Sequence, residues 1–288
     1  MRRALKFSWI KKYGGILPVY LWMILLLVFP LVYIVFLSFM RQGETWGVLY
    51  EFNLGNYRKF ADPLYQRIIA NSFKMAAVCT VSCLLIGYPA AYQMAQLSRG
   101  WQKRVLTLFT LPFWTNALVR TYGWIVLLQK RGIINSILIK TGIIDEPLRL
   151  LYTNFAAALG MVYTLLPFMI LPIYNSIEKI DPSLVEASLD LGGGWWQTFR
   201  KVTLRLSTPG NISGCLLVFM PSIGLFYLSD LMGGAGTMMI GNVIRNQFVE
   251  ARNWPFGAAL SVFMMGFAFI LIQLYRKASG GREVELTL

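Results

Sequence analysis

Long apolar runs separated by short polar segments constrain the fold of this chain more than any other feature of its sequence. Approximately, the runs cover Ile16 to Phe39, Phe73 to Leu97, Val105 to Leu128, Ala156 to Tyr174, Ile212 to Leu231 and Pro255 to Tyr275. A helix that crosses a bilayer needs about 20 mostly apolar residues, and each run is close to that length. Because lipid cannot hydrogen-bond to the backbone, such runs must be helical. The sequence therefore predicts an all-α, polytopic membrane helical bundle with about six transmembrane helices.

The overall composition agrees with a chain that is dissolved mainly in lipid. Hydrophobic residues make up 56% of it and charged residues only 14%, a balance that differs from that of soluble domains. No linker rich in Ser, Gly or Pro divides the sequence. We therefore expect one transmembrane domain over residues 1–288.

The net charge of +14 does not indicate nucleic-acid binding, because the basic residues flank the apolar runs instead of forming one stripe. They lie before the first run, between the second and third, and after the last: Arg2, Arg3, Lys6, Lys11, Lys12, Arg99, Lys103, Arg104, Arg276, Lys277 and Arg282. Basic segments next to transmembrane helices stay in the cytoplasm. Both termini are therefore expected to be cytoplasmic.

The residue inventory excludes several kinds of chemistry. The chain contains no His. Its cysteines, Cys79, Cys83 and Cys215, lie within apolar runs and lack the spacing of a zinc site, so we expect packing thiols and no metal. There is no G-x-x-x-x-G-K-[ST] phosphate loop and no cluster of catalytic groups. The sequence thus predicts a chain that is not an enzyme and holds no cofactor of its own.

A polar loop between the fourth and fifth runs, at about residues 178–209, contains the most specific pattern. Asp181 or Ser183 is suited to cap a helix that begins near Leu184. The run Gly192 to Gly194 permits the left-handed conformation that can end that helix. Trp195, Trp196 and Phe199 then begin a second amphipathic stretch. The prediction is two short helices joined by a glycine elbow.

The spacing of this loop resembles the EAA loop of permease subunits in ABC importers. Glu186-Ala187 is followed by Gly192 six residues after the Glu, then by Phe199 and by Pro209-Gly210 at the start of the next run. The resemblance implies a type I ABC importer permease fold with a loop on which a separate ATPase docks. It assigns that ATPase-coupling role to Glu186, Ala187, Asp190, Leu191 and Gly192. This chain departs from the pattern with Ser188 for the second Ala and with extra glycines at 193 and 194, which we expect to loosen the elbow.

Further segments resemble the permeases of spermidine/putrescine ABC importers over nearly the whole chain. They include Leu111-Pro112-Phe113-Trp114-Thr115-Asn116, Leu166-Pro167-Phe168-Met169, Gly224-Leu225-Phe226-Tyr227-Leu228-Ser229-Asp230 and Asn253-Trp254-Pro255-Phe256-Gly257. The resemblance implies polyamine import across a bacterial inner membrane. It also implies three partners: a second homologous permease, a homodimeric ABC ATPase that binds ATP-Mg, and a periplasmic polyamine-binding protein.

Tyr227 and Asp230 are the residues that we expect on the path of a polycation. A carboxylate can receive an ammonium group, and an aromatic ring can supply a cation–π contact. Two alternatives remain open for Asp230, which could cap the end of its span or pair with Arg120. Arg120 would repel a cationic cargo, so we expect it to pair with an acid of this chain or of the partner permease.

A second functional class remains open, namely a secondary transporter driven by an ion gradient. Such transporters often show internal repeats and ionisable residues near mid-membrane. Of the residues in the predicted spans, Arg120 fits that description best.

Overall fold

The computed structural model of this protein describes residues 17–43 and 47–278. The predicted basic N-terminal group and Arg282 lie outside the described residues, as do both termini. The helices are α1 (Leu17–Met23), α2 (Phe29–Ser38), α3 (Gly55–Arg58), α4 (Pro63–Gln96), α5 (Arg99–Thr110), α6 (Ala117–Leu128), α7 (Ile133–Lys140), α8 (Asn154–Glu178), α9 (Pro182–Asp190), α10 (Trp195–Thr198), α11 (Leu204–Leu206), α12 (Thr208–Gly224), α13 (Phe226–Met232), α14 (Ile240–Val249) and α15 (Trp254–Ala278).

Shorter elements connect these helices. Strands β1 (Arg41–Gln42) and β2 (Val48–Leu49) pair in antiparallel fashion. Single turns of 3₁₀-helix occur at Lys59–Ala61, Leu111–Trp114 and Ala235–Thr237, and π-helical turns at Ile24–Val28 and Phe199–Thr203. The described chain is thus almost entirely helical, as predicted.

Four described helical segments are long and apolar enough to cross a membrane: Pro18–Ser38, Pro63–Gln96, Asn154–Glu178 and Trp254–Lys277. The pair α12 and α13 makes a fifth if it counts as one span bent by 61°. The prediction of a polytopic helical protein is confirmed, with four or five candidate spans in the described part of the chain instead of about six.

The third predicted span, from Val105 to Leu128, is not one helix in the structure. Helix α5 ends at Thr110, a 3₁₀ turn contains Pro112, and α6 begins at Ala117. Proline has no N–H to donate, and the Asn116 side chain caps α6 by accepting from the Leu118 amide at 2.8 Å. A breaker followed by a new cap therefore splits the run into two shorter helices.

The chain divides into two units, and the first combines residues up to Tyr65 with Ile244–Phe267. Aromatic rings fill its interior, with Phe60 packed 6.1 Å from Phe256 and 5.5 Å from Phe263 between ring centroids. Buried Asn56 donates to the carbonyls of Ser38 and Met40 at 3.0 and 2.9 Å. These two bonds hold the end of α2 against the segment that precedes α4.

The second unit, Gln66–Val243 with the end of α15, packs around α8. Helix α12 approaches α8 closely because it presents glycines. A Cβ at Gly210 would lie 2.5 Å from the Pro172 carbonyl oxygen, and one at Gly214 would lie 2.8 Å from Met169 Sδ. Small residues four positions apart allow membrane helices to pack backbone to backbone. Gly210 and Gly214 are therefore needed for this contact.

Candidate functional site

The polar loop begins with a capped helix, α9. The Asp181 carboxylate accepts from the Ser183 amide at 3.0 Å, and Pro182 occupies the first helical position. This backbone hydrogen bond holds the pKa of the Asp181 carboxyl below its ordinary value. Of the two caps that the sequence allowed, Asp181 is the one observed, and the helix begins at Pro182, two residues before Leu184.

Helix α9 ends in the left-handed turn that the sequence predicted. Gly192 has φ +80°, and its amide donates to the Leu189 carbonyl at 2.9 Å. The next amide, of Gly193, donates to the Ser188 carbonyl at 3.0 Å. These two bonds form a Schellman motif, which satisfies the last carbonyls of a helix and fixes the direction in which the chain leaves it.

The expected loosening of the elbow is wrong at positions 188 and 193, because Ser188 and Gly193 tighten it. A Cβ at position 193 would lie 2.6 Å from the Ser188 carbonyl oxygen, so only glycine fits there. The Ser188 hydroxyl also lies 3.0 Å from Thr198 Oγ1, across the elbow on α10. Thr198 is buried. Ser188 therefore joins the two helices directly, a bond that alanine cannot make.

The second half of the loop is built on stacked rings. Trp195 and Trp196 lie nearly parallel to Phe199, with centroid distances of 5.7 Å in both cases. Helix α10 continues into the π-helical turn Phe199–Thr203 and then into α11. Single π-turns are frequent at functional sites in helices.

The outer face of this loop is apolar and exposed. We define the loop patch as five side chains with exposed fractions between 48 and 90%: Leu184, Leu189, Leu191, Trp195 and Trp196. Leu191, at the elbow itself, is 90% exposed. Glu186, Ala187 and Asp190 are exposed beside the patch. Contiguous apolar surface with a polar rim is typical of a protein interface.

The inner face of the loop contacts α4 through aromatic side chains. The Phe199 ring meets Tyr88 at 5.8 Å and Tyr92 at 5.6 Å, edge to face with 85° between planes in both pairs. The Tyr88 hydroxyl lies 3.0 Å from Ser207 Oγ, one residue before α12. Sequence reasoning missed these α4 residues. The one available signal was the pair of tyrosines four positions apart, which share a helix face.

The second predicted site, Tyr227 and Asp230, lies on α13. Tyr227 is half-buried and Asp230 is exposed. The Asp230 carboxylate accepts a hydrogen bond from the Asn242 side-chain amide. Asn242 also accepts from the Met239 amide at 2.8 Å and donates to the Phe226 carbonyl at 3.2 Å. A defined network therefore positions Asp230.

Arg120 does not pair with Asp230. Its guanidinium carbon lies 5.3 Å from the centre of the Phe113 ring and 6.0 Å from that of Tyr163. Within residues 17–43 and 47–278, Arg120 forms no ion pair, and its buried Nε has no hydrogen-bond acceptor. The pairing with an acid of this chain is therefore wrong for the described residues, where aromatic faces receive the cation instead.

Comparison with known families identifies the class of protein. Residues 16–278 match the model of the binding-protein-dependent transport system inner membrane component. The chain belongs to this family. It is accordingly a multi-pass inner-membrane permease subunit of a transport system and not an enzyme. Membership decides between the two classes that the sequence left open, in favour of the binding-protein-dependent permease over the secondary transporter.

The permease has similar curated relatives. It is 42% identical to the spermidine/putrescine transport system permease protein PotB of Haemophilus influenzae over 93% of this chain and 94% of that protein. It is 43% identical to PotB of Escherichia coli strain K12, over 92% of this chain and 97% of that protein. It is 33% identical to the inner membrane ABC transporter permease protein YdcU of the same strain, over 80% of this chain and 76% of that protein.

Solved structures support the same fold for the permease. A chain in the crystal structure of a bacterial ABC transporter involved in the import of the acidic polysaccharide alginate superimposes with a TM-score of 0.75, over 98% of both chains. A chain in a second crystal structure, of a bacterial alginate ABC transporter in complex with an alginate pentasaccharide-bound periplasmic protein, superimposes with a TM-score of 0.78. This match covers 97% of the present chain and 96% of that one. Both are 16% identical to the permease. The type I ABC importer permease fold is thus confirmed.

Proposed function

We propose that this permease forms half of the transmembrane pathway of an ATP-driven importer of polyamines, together with a second homologous permease. The names of its relatives, spermidine/putrescine permeases at 42–43% identity over nearly the full length, support this cargo. The unsatisfied Nε of Arg120 within the described chain supports a contact with another subunit, which would supply the acceptor.

The loop is proposed as the seat of a homodimeric ABC ATPase, which would bind ATP-Mg. The observation that carries this role is Leu191, 90% exposed on an elbow that a Schellman motif and the Ser188–Thr198 bond hold in one conformation. A fixed apolar projection is suited to docking because it loses little conformational freedom on binding. Glu186, Ala187, Asp190, Leu191 and Gly192 make up the coupling element in this proposal.

Tyr227 and Asp230 remain the proposed contacts for the cargo. An exposed carboxylate held by Asn242 can bind an ammonium group without rearrangement of the site, and the half-buried Tyr227 is on the same short helix. A periplasmic polyamine-binding protein would deliver the cargo. The loop and both termini are proposed to face the cytoplasm of a bacterium.

The test replaces Leu191 by Asp in the assembled transporter and measures how much ATPase co-purifies with the permease in mild detergent. We expect Leu191→Asp to release most of the ATPase, because a charge in a buried apolar contact is costly to desolvate. Leu148→Asp, at an exposed leucine of the segment between α7 and α8, is the matched control. Full ATPase recovery with Leu191→Asp would contradict the docking role.

Uptake of labelled spermidine, with unlabelled putrescine and amino acids as competitors, tests the cargo separately. Competition by polyamines alone is expected. Equal uptake in cells that lack the permease would contradict the proposal.

A further inference from the structure

The loop is connected to the membrane helices at a place that its position in the sequence does not suggest. It lies between α8 and α12 in the chain, yet the Phe199 ring contacts both Tyr88 and Tyr92 of α4. We call these three residues the aromatic joint. More than 100 residues of chain separate its two sides.

The geometry of the joint suits the transfer of force. Tyr88 and Tyr92 are one helical turn apart and both meet Phe199 with interplanar angles of 85°. Edge-to-face ring pairs have a preferred direction and stabilise by more than their buried area alone. A ring in contact with two rings one helical turn apart resists displacement along α4, so we expect movement of Phe199 to displace the helix.

On its outer side, the joint continues into the surface that is proposed to receive the ATPase. Trp195 and Trp196 are each stacked on Phe199 and are 64 and 61% exposed. Pressure on this exposed pair therefore acts on Phe199 through direct ring contact. Thr198, next to Phe199, is fixed to α9 through Ser188. Both helices that meet at the elbow, α9 and α10, are thus connected to the aromatic joint.

The part of α4 that the joint contacts is a local weak point of that helix. Pro89 follows Tyr88 and lies inside the helix, where it cannot donate a hydrogen bond to the preceding turn. Gly87 packs closely on α8, where an added Cβ would lie 3.1 Å from Met169 Cγ. Bends in membrane helices concentrate at such positions. The loop therefore contacts α4 where it bends most readily.

We propose that the aromatic joint is the positioning element that carries loop movement into α4, with Phe199 acting through Tyr88 and Tyr92. This inference rests on the proposed coupling to an ATPase. It adds that α4, and not only the two helices that adjoin the loop in sequence, is moved directly. None of the three residues is assigned to contact the ATPase or the cargo.

The experiment uses the complete transporter, with both permeases, ATPase and binding protein, in lipid nanodiscs. The variant Phe199→Leu keeps an apolar side chain but removes the ring edges and faces. Tyr92→Phe keeps the ring and is the conservative variant. Phe219→Leu is the matched control, because Phe219 is also half-buried and stacks on a ring of the second unit, Phe73, at 6.4 Å.

Three quantities are measured: ATPase retained in the complex, basal ATP hydrolysis, and stimulation of hydrolysis by spermidine-loaded binding protein. For Phe199→Leu we expect full ATPase retention and normal basal hydrolysis, with stimulation and spermidine uptake reduced about tenfold, which corresponds to the loss of two ring contacts. Tyr92→Phe and Phe219→Leu are expected to behave as the unaltered protein. If Phe199 served only to stabilise the fold, Phe199→Leu would instead lower both the amount of ATPase retained in the complex and the basal ATP hydrolysis.

A second variant keeps the test decisive if Phe199→Leu is poorly recovered. Tyr92→Leu should reproduce part of the loss of stimulation, and the double variant should lose no more than Phe199→Leu, because Phe199→Leu already removes the contact with Tyr92. Normal stimulation in Tyr92→Leu, or additive losses in the double variant, would overturn the joint. Release of the ATPase by Phe199→Leu and Tyr92→Leu would also overturn it, since the residues would then form the docking seat. Failure of the proposed ATPase docking is seen separately, with Leu191→Asp.

Discussion

At the scale of single residues, the elbow shows how backbone conformation and close contact select glycine for different reasons. Gly192 is required by its φ of +80°, although an added Cβ there would meet nothing within 4 Å. Gly193 is required by proximity to the Ser188 carbonyl. Gly194 has neither constraint, with φ −67° and open space around it. Of the three consecutive glycines, only Gly192 and Gly193 are thus constrained, each for a different reason.

This difference predicts the effect of alanine at each end of the glycine run. Gly192→Ala should weaken the elbow by ~1–2 kcal/mol, the cost of an L-residue in the left-handed region. Gly194→Ala, the control, should leave the elbow unchanged. Hydrogen exchange of the Gly193 amide, which closes the Schellman motif, should accelerate roughly 5- to 30-fold in Gly192→Ala alone. Equal protection in both variants would contradict the role assigned to Gly192.

The proposed cargo contact is also tested at one residue. Asp230→Asn keeps the size of the side chain but removes its charge, so the half-saturating spermidine concentration should rise by about tenfold or more, the loss of a charged hydrogen bond. Asp145→Asn, at an exposed acid between α7 and α8, is the control. Membrane abundance is measured by immunoblot for both. Normal uptake by Asp230→Asn at normal abundance would remove Asp230 from the proposed path.

At the scale of elements, the fifth predicted span illustrates how tertiary contacts break a helix. The run from Ile212 to Leu231 reads as one helix, but α12 ends at Gly224 and α13 leaves at 61°. Helix α14 packs against the break, where a Cβ at Gly241 would lie 3.2 Å from the Gly224 carbonyl oxygen. The Asn242 side chain donates to the Phe226 carbonyl at 3.2 Å. A residue of α14 thus holds the first turn of α13 in place.

The close approach of α12 to α8 gives a prediction for this helix pair. Gly210→Val should force the helices apart, because the new Cβ would collide with the Pro172 carbonyl; overpacking of this kind costs ~1–3 kcal/mol. The same substitution at Gly266, inside α15, meets nothing within 4 Å and is the control. Thermal denaturation in detergent should show a lower melting temperature for Gly210→Val only. A melting temperature as high as that of Gly266→Val would show that α8 and α12 can separate without cost.

At the scale of the whole molecule, the functional assignment depends on which surfaces the chain offers to lipid and to other subunits. The described chain offers no group of three or more His, Cys, Asp or Glu side chains that could hold a metal. Its long helices are apolar, and its most exposed apolar side chains outside them include those of the loop patch. The family to which it belongs places such a chain in the inner membrane as one component of a larger system. The single-domain organisation over residues 1–288 stays a prediction.

The orientation of the molecule in the membrane can be measured with single cysteines. The native Cys79 and Cys83 are fully buried, and the half-buried Cys215 is replaced by Ala. A membrane-impermeant maleimide should then label Lys140→Cys in intact spheroplasts. It should label Gln197→Cys, in the loop, only after the inner membrane is permeabilised. Labelling of Gln197→Cys from outside would place the loop in the periplasm and contradict its proposed role.

The sequence by itself determined four of the six predicted apolar spans, a helix capped by Asp181 or Ser183, a left-handed end within residues 192–194 and the family resemblance, because each of these depends on local composition or on fixed spacing along the chain. Only the tertiary structure decided that Ser188 binds Thr198, that Phe199 contacts both Tyr88 and Tyr92, and that the fifth span is bent. These features depend on residues that are brought together by packing across the fold. Sequence spacing carries no information about which side chain another helix will place opposite them.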